Sequence, residues 1–387
     1  TAIVSTAIGW GALMSNTTGA QNTAVGANCM QNNTTGGSNV AMGRQCMQAN
    51  TTGDNNTAFG YTALISNTTA DSNSAIGYRA LFANTTGENN TALGSDALYA
   101  NSTGGANTAV GRHALKANTT ATGNTALGYN ALEANTTGTQ NTAIGAYALD
   151  AITTASTCTA VGYQALTANT AGNNAAFGST AMATNTTGTG NCAFGHAALV
   201  AQSTGDQNSA FGYAALYNSN GASANTAVGG YAGHNVTTGG YSVFAGYYAG
   251  VNVTTGQKNV CLGHNTLRTC TTGSYNTAVG DQALYDYTGS ETVAIGHASA
   301  YELTTGNQCT AVGTSSLRNS TTGDYNTAIG YYAMGAAVVT GGHNTAVGYR
   351  AAQVLTTGAY GTYVGKGAGY NVTTASSVTI MGYNAAY

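Results

Sequence analysis

Three acids recur at one phase of this chain: Asp54, Asp71 and Glu88, seventeen residues apart. Stacked on successive turns of a regular structure, their carboxylates would sit about 5 Å from one another and repel. A hard cation such as Ca2+ relieves that repulsion, and Asn55, Asn56, Asn73, Asn89 and Asn90 offer further oxygens. The same column also reads as an exposed turn, screened by water and salt, which needs no ion and is the plainer reading. Two other columns alternate in sign: Arg79, Asp96 and His113 in one, His264, Asp281 and His297 in the other. Alternation of that kind neutralises a stack.

Seven cysteines, Cys29, Cys46, Cys158, Cys192, Cys261, Cys270 and Cys309, show no metal spacing and read mainly as small buried residues. Cys29 and Cys46 share a column, one repeat apart, so a disulfide falls within Cα reach. Tyrosine is unevenly spread, with 8 of 25 up to Tyr217 and the rest from Tyr231 onward. An aromatic ladder of this kind can stack on sugars or brace the coil and its contacts with other chains. No nucleophile elbow, HExxH, P-loop or paired CxxC is present. The twelve acids are scattered rather than gathered beside one groove, so no enzyme is expected.

What positions all these residues is a glycine every seventeen residues, from Gly9 through Gly60 and Gly195 to Gly382. Only the intervals Gly162–Gly178, Gly280–Gly296 and Gly330–Gly348 depart from seventeen, each by one residue. A clean copy reads Asn-Thr-Ala-Φ-Gly-x-x-Ala-Leu-x-x-Asn-Thr-Thr-Gly-x-x, where Φ is large and apolar. A short fixed period marks a solenoid. The unit is too short for a helical hairpin and lacks helical periodicity, but holds two short candidate strands and two turn signals. The expected fold is all-β: a parallel β-solenoid, or β-roll, with one 17-residue coil per repeat and about 23 coils over residues 1–387. Coils at residues 1–222 are the more regular, with Leu or Met in the core; those at 223–387 are richer in Tyr and in Gly/Val substitutions. Coils ~4.8 Å apart make such an array a rod on the order of 100 Å long.

The columns predict an interior. Φ is large in every copy except Ala245, so it is expected inside. Four residues after the glycine, the first thirteen copies are Leu or Met; where later copies have Gly or Ala, an aliphatic appears three residues on, as in Gly233 with Val236 and Ala300 with Leu303. Lost volume is replaced, so both positions face one core. Two Asn columns, Asn22 to Asn344 and Asn16 to Asn135, are expected to form side-chain amide ladders rather than glycosylation sites. The Ala columns, as at Ala24, Ala58 and Ala92, alternate with Φ and are therefore expected on a second surface buried between rods.

Only 5% of residues are charged, nine basic and twelve acidic, so nucleic-acid binding and electrostatic membrane docking are not expected. No apolar run is long enough to insert in a membrane. The chain starts at Thr1 and ends at Tyr387 inside repeats, and is expected to be a piece of something longer. The function expected is a structural fibre or adhesin rod, self-assembling as a homotrimer or filament. The alternative is an ice-binding or glycan-binding β-solenoid; Thr17, Thr34, Thr51, Thr68 and Thr85 form the column an ice surface would use, although their run into glycine suits a turn better.

The stretch Asn124 to Gly138 resembles repeats of phage tail-fibre and bacterial surface "tail fiber domain" proteins. More remotely, Φ-Gly followed by a small residue is similar to the shorter head repeats of YadA-like trimeric autotransporter adhesins. The resemblance implies a homotrimeric β-roll shaft or adhesive head on a virion or cell surface, with cell-surface glycans as partners. Such fibres often end in a self-cleaving Ser/Lys chaperone domain, and nothing like it occurs in these residues.

Overall fold

A computed structural model describes residues 4–386. The chain divides between Gly190 and Asn191 into two compact units. The first holds strands β1 (Thr6–Ile8) to β11 (Ala175–Phe177), the second β12 (Cys192–Phe194) to β23 (Thr379–Met381), each strand three residues long. Within each unit every strand pairs in parallel with the next; between β4 (Thr57–Phe59) and β5 (Ser74–Ile76), for instance, Thr57, Ala58 and Phe59 face Ser74, Ala75 and Ile76. No helix occurs among the described residues. Each unit is a parallel β-solenoid with one coil per repeat.

One strand per coil is found, not two. The segment after the glycine alternates into the left-handed region, with Thr62 at φ 55° and Leu64 at φ 53°. It still bonds between coils, as in Leu64 N–H to the Ala80 carbonyl at 2.9 Å, so the alternation turns the chain without stranding its amides. The repeat glycine has a different constraint. Gly60 sits at φ 136°, and a Cβ there would run into the carbonyl oxygen of Gly77 on the next coil. No other residue type fits a corner stacked that closely.

The core reverses one expectation. In each strand the middle residue points inward and the Φ residue outward. Ala24 and Ala58 are 0% exposed and Ala92 1%, all covered by their own chain, whereas Ile76 is 40% exposed and Val25 and Phe59 are only half-buried. The reason is room. Leu64 and its equivalents, fully buried, project across the coil and leave space only for a methyl group at the strand. The Ala columns therefore line the interior, and they are not the surface between rods.

The volume exchange stands and has a third member. Val236, Val253, Leu303 and Leu355 are fully buried opposite their small partners; Val372, paired with Gly369, is half-buried. In β15 (Val243–Ala245) the middle residue is Phe244, also fully buried. Its ring occupies the space that side chains at Gly233 and Gly250 would fill. Tyr363 does the same beside Gly369. Ala245 is thus small because the large residue of that repeat has moved inside.

Both Asn columns are buried ladders. Asn50 Nδ2 donates to Asn33 Oδ1 at 2.8 Å and to the Gly53 carbonyl at 3.0 Å. In the other column Asn39 Oδ1 accepts from the Asn56 N–H at 2.9 Å, and Asn39 Nδ2 donates to the Gly53 carbonyl at 2.8 Å. With their nitrogens spent inside, the Asn-Thr-Thr triplets at Asn33, Asn50 and Asn67 present no free amide for a glycan in the folded chain.

Candidate functional site

The strand face that looks outward carries two parallel ladders, Thr three residues before the glycine and Φ one before. The Φ ladder has no polar residue in any copy. Leu93 is 44% exposed and Leu127 46%, and in the second unit Phe194 stacks on Phe211 with centroids 5.1 Å apart and 9° between planes. A position that faces solvent yet remains apolar in every coil is not explained by the coil's own packing. Continuous exposed apolar surface of this kind marks an interaction site.

Aromatic side chains stack at three phases of the coil: one and five residues after the repeat glycine, and five before it. Tyr61 stacks on Tyr78 at 5.8 Å and 11°, Phe82 on Tyr99 at 5.1 Å, and in the second unit Tyr285 on Tyr301 at 4.9 Å. Tyr325, His343 and Tyr360 stack in sequence at 4.6 and 5.0 Å. Arg268 lies between Tyr248 and Tyr285, 5.4 and 5.5 Å from their centroids. Rings stacked along the coil axis spend their faces on one another. Such stacked pairs brace the coil, whereas Tyr129, Tyr147 and Tyr163, and likewise Tyr213, Tyr231 and Tyr247, meet edge to face.

The alternating columns are ion-pair ladders. Arg79 Nε lies 2.8 Å from Asp96 Oδ1, and Asp96 Oδ2 is 3.7 Å from His113 Nε2. Asp96 in turn raises the pKa of the Arg79 guanidinium, chiefly through their hydrogen bond. His264 Nδ1 is 2.8 Å from Asp281 Oδ1, with His297 Nε2 at 3.6 Å from Oδ2.

Asp54, Asp71 and Glu88 lie on successive coils at one phase, Asp71 half-buried and the other two exposed. Asp54 Oδ1 accepts from the Gly37 N–H at 2.6 Å and Asp71 Oδ1 from the Asp54 N–H at 2.7 Å. The same post is held by Ser156 for Thr139 N–H at 2.9 Å and by Asp324 for Asn307 N–H at 2.7 Å. Hydroxyl and carboxylate thus serve alike as acceptors tying one turn to the next. Sequence reasoning missed this role, and the recurrence of Ser among the acids at that phase was its signal. Among the described residues, no three or more His, Cys, Asp or Glu side chains gather as a metal site.

Cys29 and Cys46 are free and buried; their thiols donate to the carbonyls of Ala41 at 3.3 Å and Ala58 at 3.1 Å. They stand three residues after the repeat glycine, where Ala63, Ala80 and Ala97 are also fully buried. The threonines of the proposed ice column direct their hydroxyls along the axis, Thr17 to the Thr34 carbonyl at 2.9 Å and Thr51 to the Thr68 carbonyl at 2.9 Å. Those hydroxyl protons are committed to the coil. No described helix is long and apolar enough to cross a membrane.

Fold and columns define a β-solenoid repeat protein, an architecture more typical of structural roles than of catalysis. No model of a known protein family matches the chain, and no curated protein is found similar to it.

Proposed function

We propose that this protein is a structural segment of a fibre or adhesin rod, extracellular on a virion or cell surface, that assembles with copies of itself and catalyses no reaction. The observation that carries this reading is the outward Φ ladder. A row of apolar side chains spaced by the coil rise is matched in period only by another such row, and a second copy of the chain supplies one. Copies in parallel and in register present the same residue at each level, so Phe meets Phe and Val meets Val. A face only about 10 Å wide, three residues at ~3.3 Å each, suits convergence of three copies on one axis. A homotrimer is therefore favoured over a filament.

Magnitudes support it. Covering the exposed part of one Φ side chain yields roughly 0.5–1 kcal/mol. The eleven levels of the first unit would then sum to about 6–11 kcal/mol, comparable with the ~4–15 kcal/mol association cost. Mass photometry and negative-stain microscopy of the full chain test it. Wild type is expected as trimers or longer rods; Ile76→Asn, Leu93→Asn, Leu127→Asn and Ile144→Asn together are expected to give monomers. Asn is chosen because stacked charges would repel within one chain. A wild type that stays monomeric at micromolar concentration, or a quadruple variant that assembles as before, would sink the proposal.

A further inference from the structure

Charge is sparse throughout, yet two cations stand together near the last coils, with no acid among the described residues of those coils. Beyond Asp324 the sequence contains no Asp or Glu, and its only Lys or Arg residues are Arg350 and Lys366. Arg79 has Asp96, Lys116 lies 3.9 Å from Glu133, and Arg268 sits between two rings and donates to Asn265 Oδ1 at 3.0 Å, while Arg44, Arg112 and Arg318 each lie over one tyrosine ring. Here, by contrast, both cations share the ring of Tyr349, with Arg350 Cζ 5.1 Å and Lys366 Nζ 5.8 Å from its centroid. Arg350 Nε is buried without a hydrogen-bond partner.

The two cations line a cavity of about 280 Å3, together with Tyr349, Tyr370, Tyr383 and Asn384. Lys366 occupies the aromatic column between Tyr349 and Tyr383, its Nζ 5.2 Å from the Tyr383 centroid. It breaks the ring-on-ring stacking that runs from Tyr331 to Tyr349 at 5.4 Å. Here the rings of Tyr349 and Tyr383 meet cations rather than each other and border the cavity.

We propose that this cavity binds a single anionic sugar residue, a ring bearing a carboxylate or a phosphate. The anion answers Arg350 and Lys366, whose mutual repulsion it relieves, and Arg350 offers a planar fork suited to an oxyanion. The sugar's C–H face packs on tyrosine while Asn384 and the tyrosine hydroxyls meet its hydroxyl groups. The volume lies near the lower end of the ~300–1,000 Å3 range of small-molecule sites, which fits one ring rather than a chain. The site lies within a single chain, so it stands or falls independently of assembly.

Isothermal titration of the full chain with galacturonate, glucose 6-phosphate, inorganic phosphate and glucose tests this. At least one of the two anionic sugars is expected to bind saturably, with Kd on the order of 1 mM or tighter. Which of them binds identifies the anion as carboxylate or phosphate. Rising salt is expected to weaken binding. Lys366→Gln and Arg350→Gln should each weaken it by about tenfold or more, a factor worth roughly 1.4 kcal/mol, and Arg350→Lys by less. Circular dichroism confirms that the variants keep the fold. The proposal is overturned if neither anionic sugar binds, if glucose binds as well as they do, if inorganic phosphate alone matches them, or if folded variants bind unchanged.

Discussion

Replacing Phe244 with Ala tests the packing logic most sharply. The ring is fully buried in a column that is otherwise mostly Ala, and the two glycines beside it have no side chains with which to refill the space. Phe→Ala in a core costs about 3–5 kcal/mol, and a site lined by glycine collapses least, so the upper half of that range is expected. A second arrangement should restore the loss. Adding Gly233→Leu and Gly250→Leu to Phe244→Ala puts Leu back beside Ala as in the regular coils, with Val236 and Val253 still buried where those coils have Asn. The backbone already suits it: Gly233 and Gly250 have φ of 59° and 57°, and Leu64 and Leu98 accept 53° and 51°. The triple variant should recover more than half the loss. Gly250→Leu alone should destabilise, because its Cβ would run into the Phe244 ring. Native-state hydrogen exchange on the neighbouring coils is the suitable assay, since a repeat array need not unfold in one step. A cost below about 1 kcal/mol for Phe244→Ala, or a triple variant no better than the single, would refute the reasoning.

Two further outcomes follow from the buried columns. Asn101→Val removes the donations to Asn84 Oδ1 at 2.8 Å and the Gly104 carbonyl at 2.9 Å, and leaves Asn118 with only the Ala121 carbonyl at 3.2 Å as acceptor; unfolding should show a loss of about 2–4 kcal/mol, and a neutral effect would mean that the ladder is not cooperative. Burial pushes the thiols of Cys270 and Cys309 up to about 11 from 9.0, so a thiol reagent at pH 8 should label them only after denaturation, and their stabilising contribution should be complete below pH 9 and fall as pH rises through about 11.

Much of the architecture is legible in the spacing. The glycine period gives the coil, and the exchange of Gly233 for Val236 correctly places both in one core. The Asn columns read as ladders because only paired amides can be buried at every turn. The phase of the strand was not legible in the same way. Three residues alternate once, and hydrophobicity alone assigns the larger of Ala and Φ to the inside. The interior width that decides otherwise is set by a leucine from across the coil, which no strand pattern contains. One repeat did hold the answer: Val243-Phe244-Ala245 inverts the order where two glycines make room. The second expected strand failed for a related reason. Leucine in the left-handed region is costly by roughly 1–2 kcal/mol, and only the surrounding packing makes it worthwhile. For the candidate surfaces, the sequence showed charge stacks and tyrosines, but not which rings stack face to face, as Tyr61 on Tyr78, and which meet edge to face, as Tyr129 and Tyr147.

The amide ladder of the first unit also has a direction. Asn33 Nδ2 donates to Asn16 Oδ1, Asn50 to Asn33, Asn67 to Asn50, and so on to Asn135 and Asn118, always from the later coil to the earlier. Every bond dipole in the row therefore points the same way, and each amide is polarised by the one behind it. At this column each coil consequently turns a hydrogen donor toward the coil before it and an acceptor toward the coil after it. Coils so marked accept a neighbour in one orientation only, and two such stacks meeting head to head would oppose donor to donor. The ladder thus works as an arrow written along the axis, telling any growing stack which way is forward.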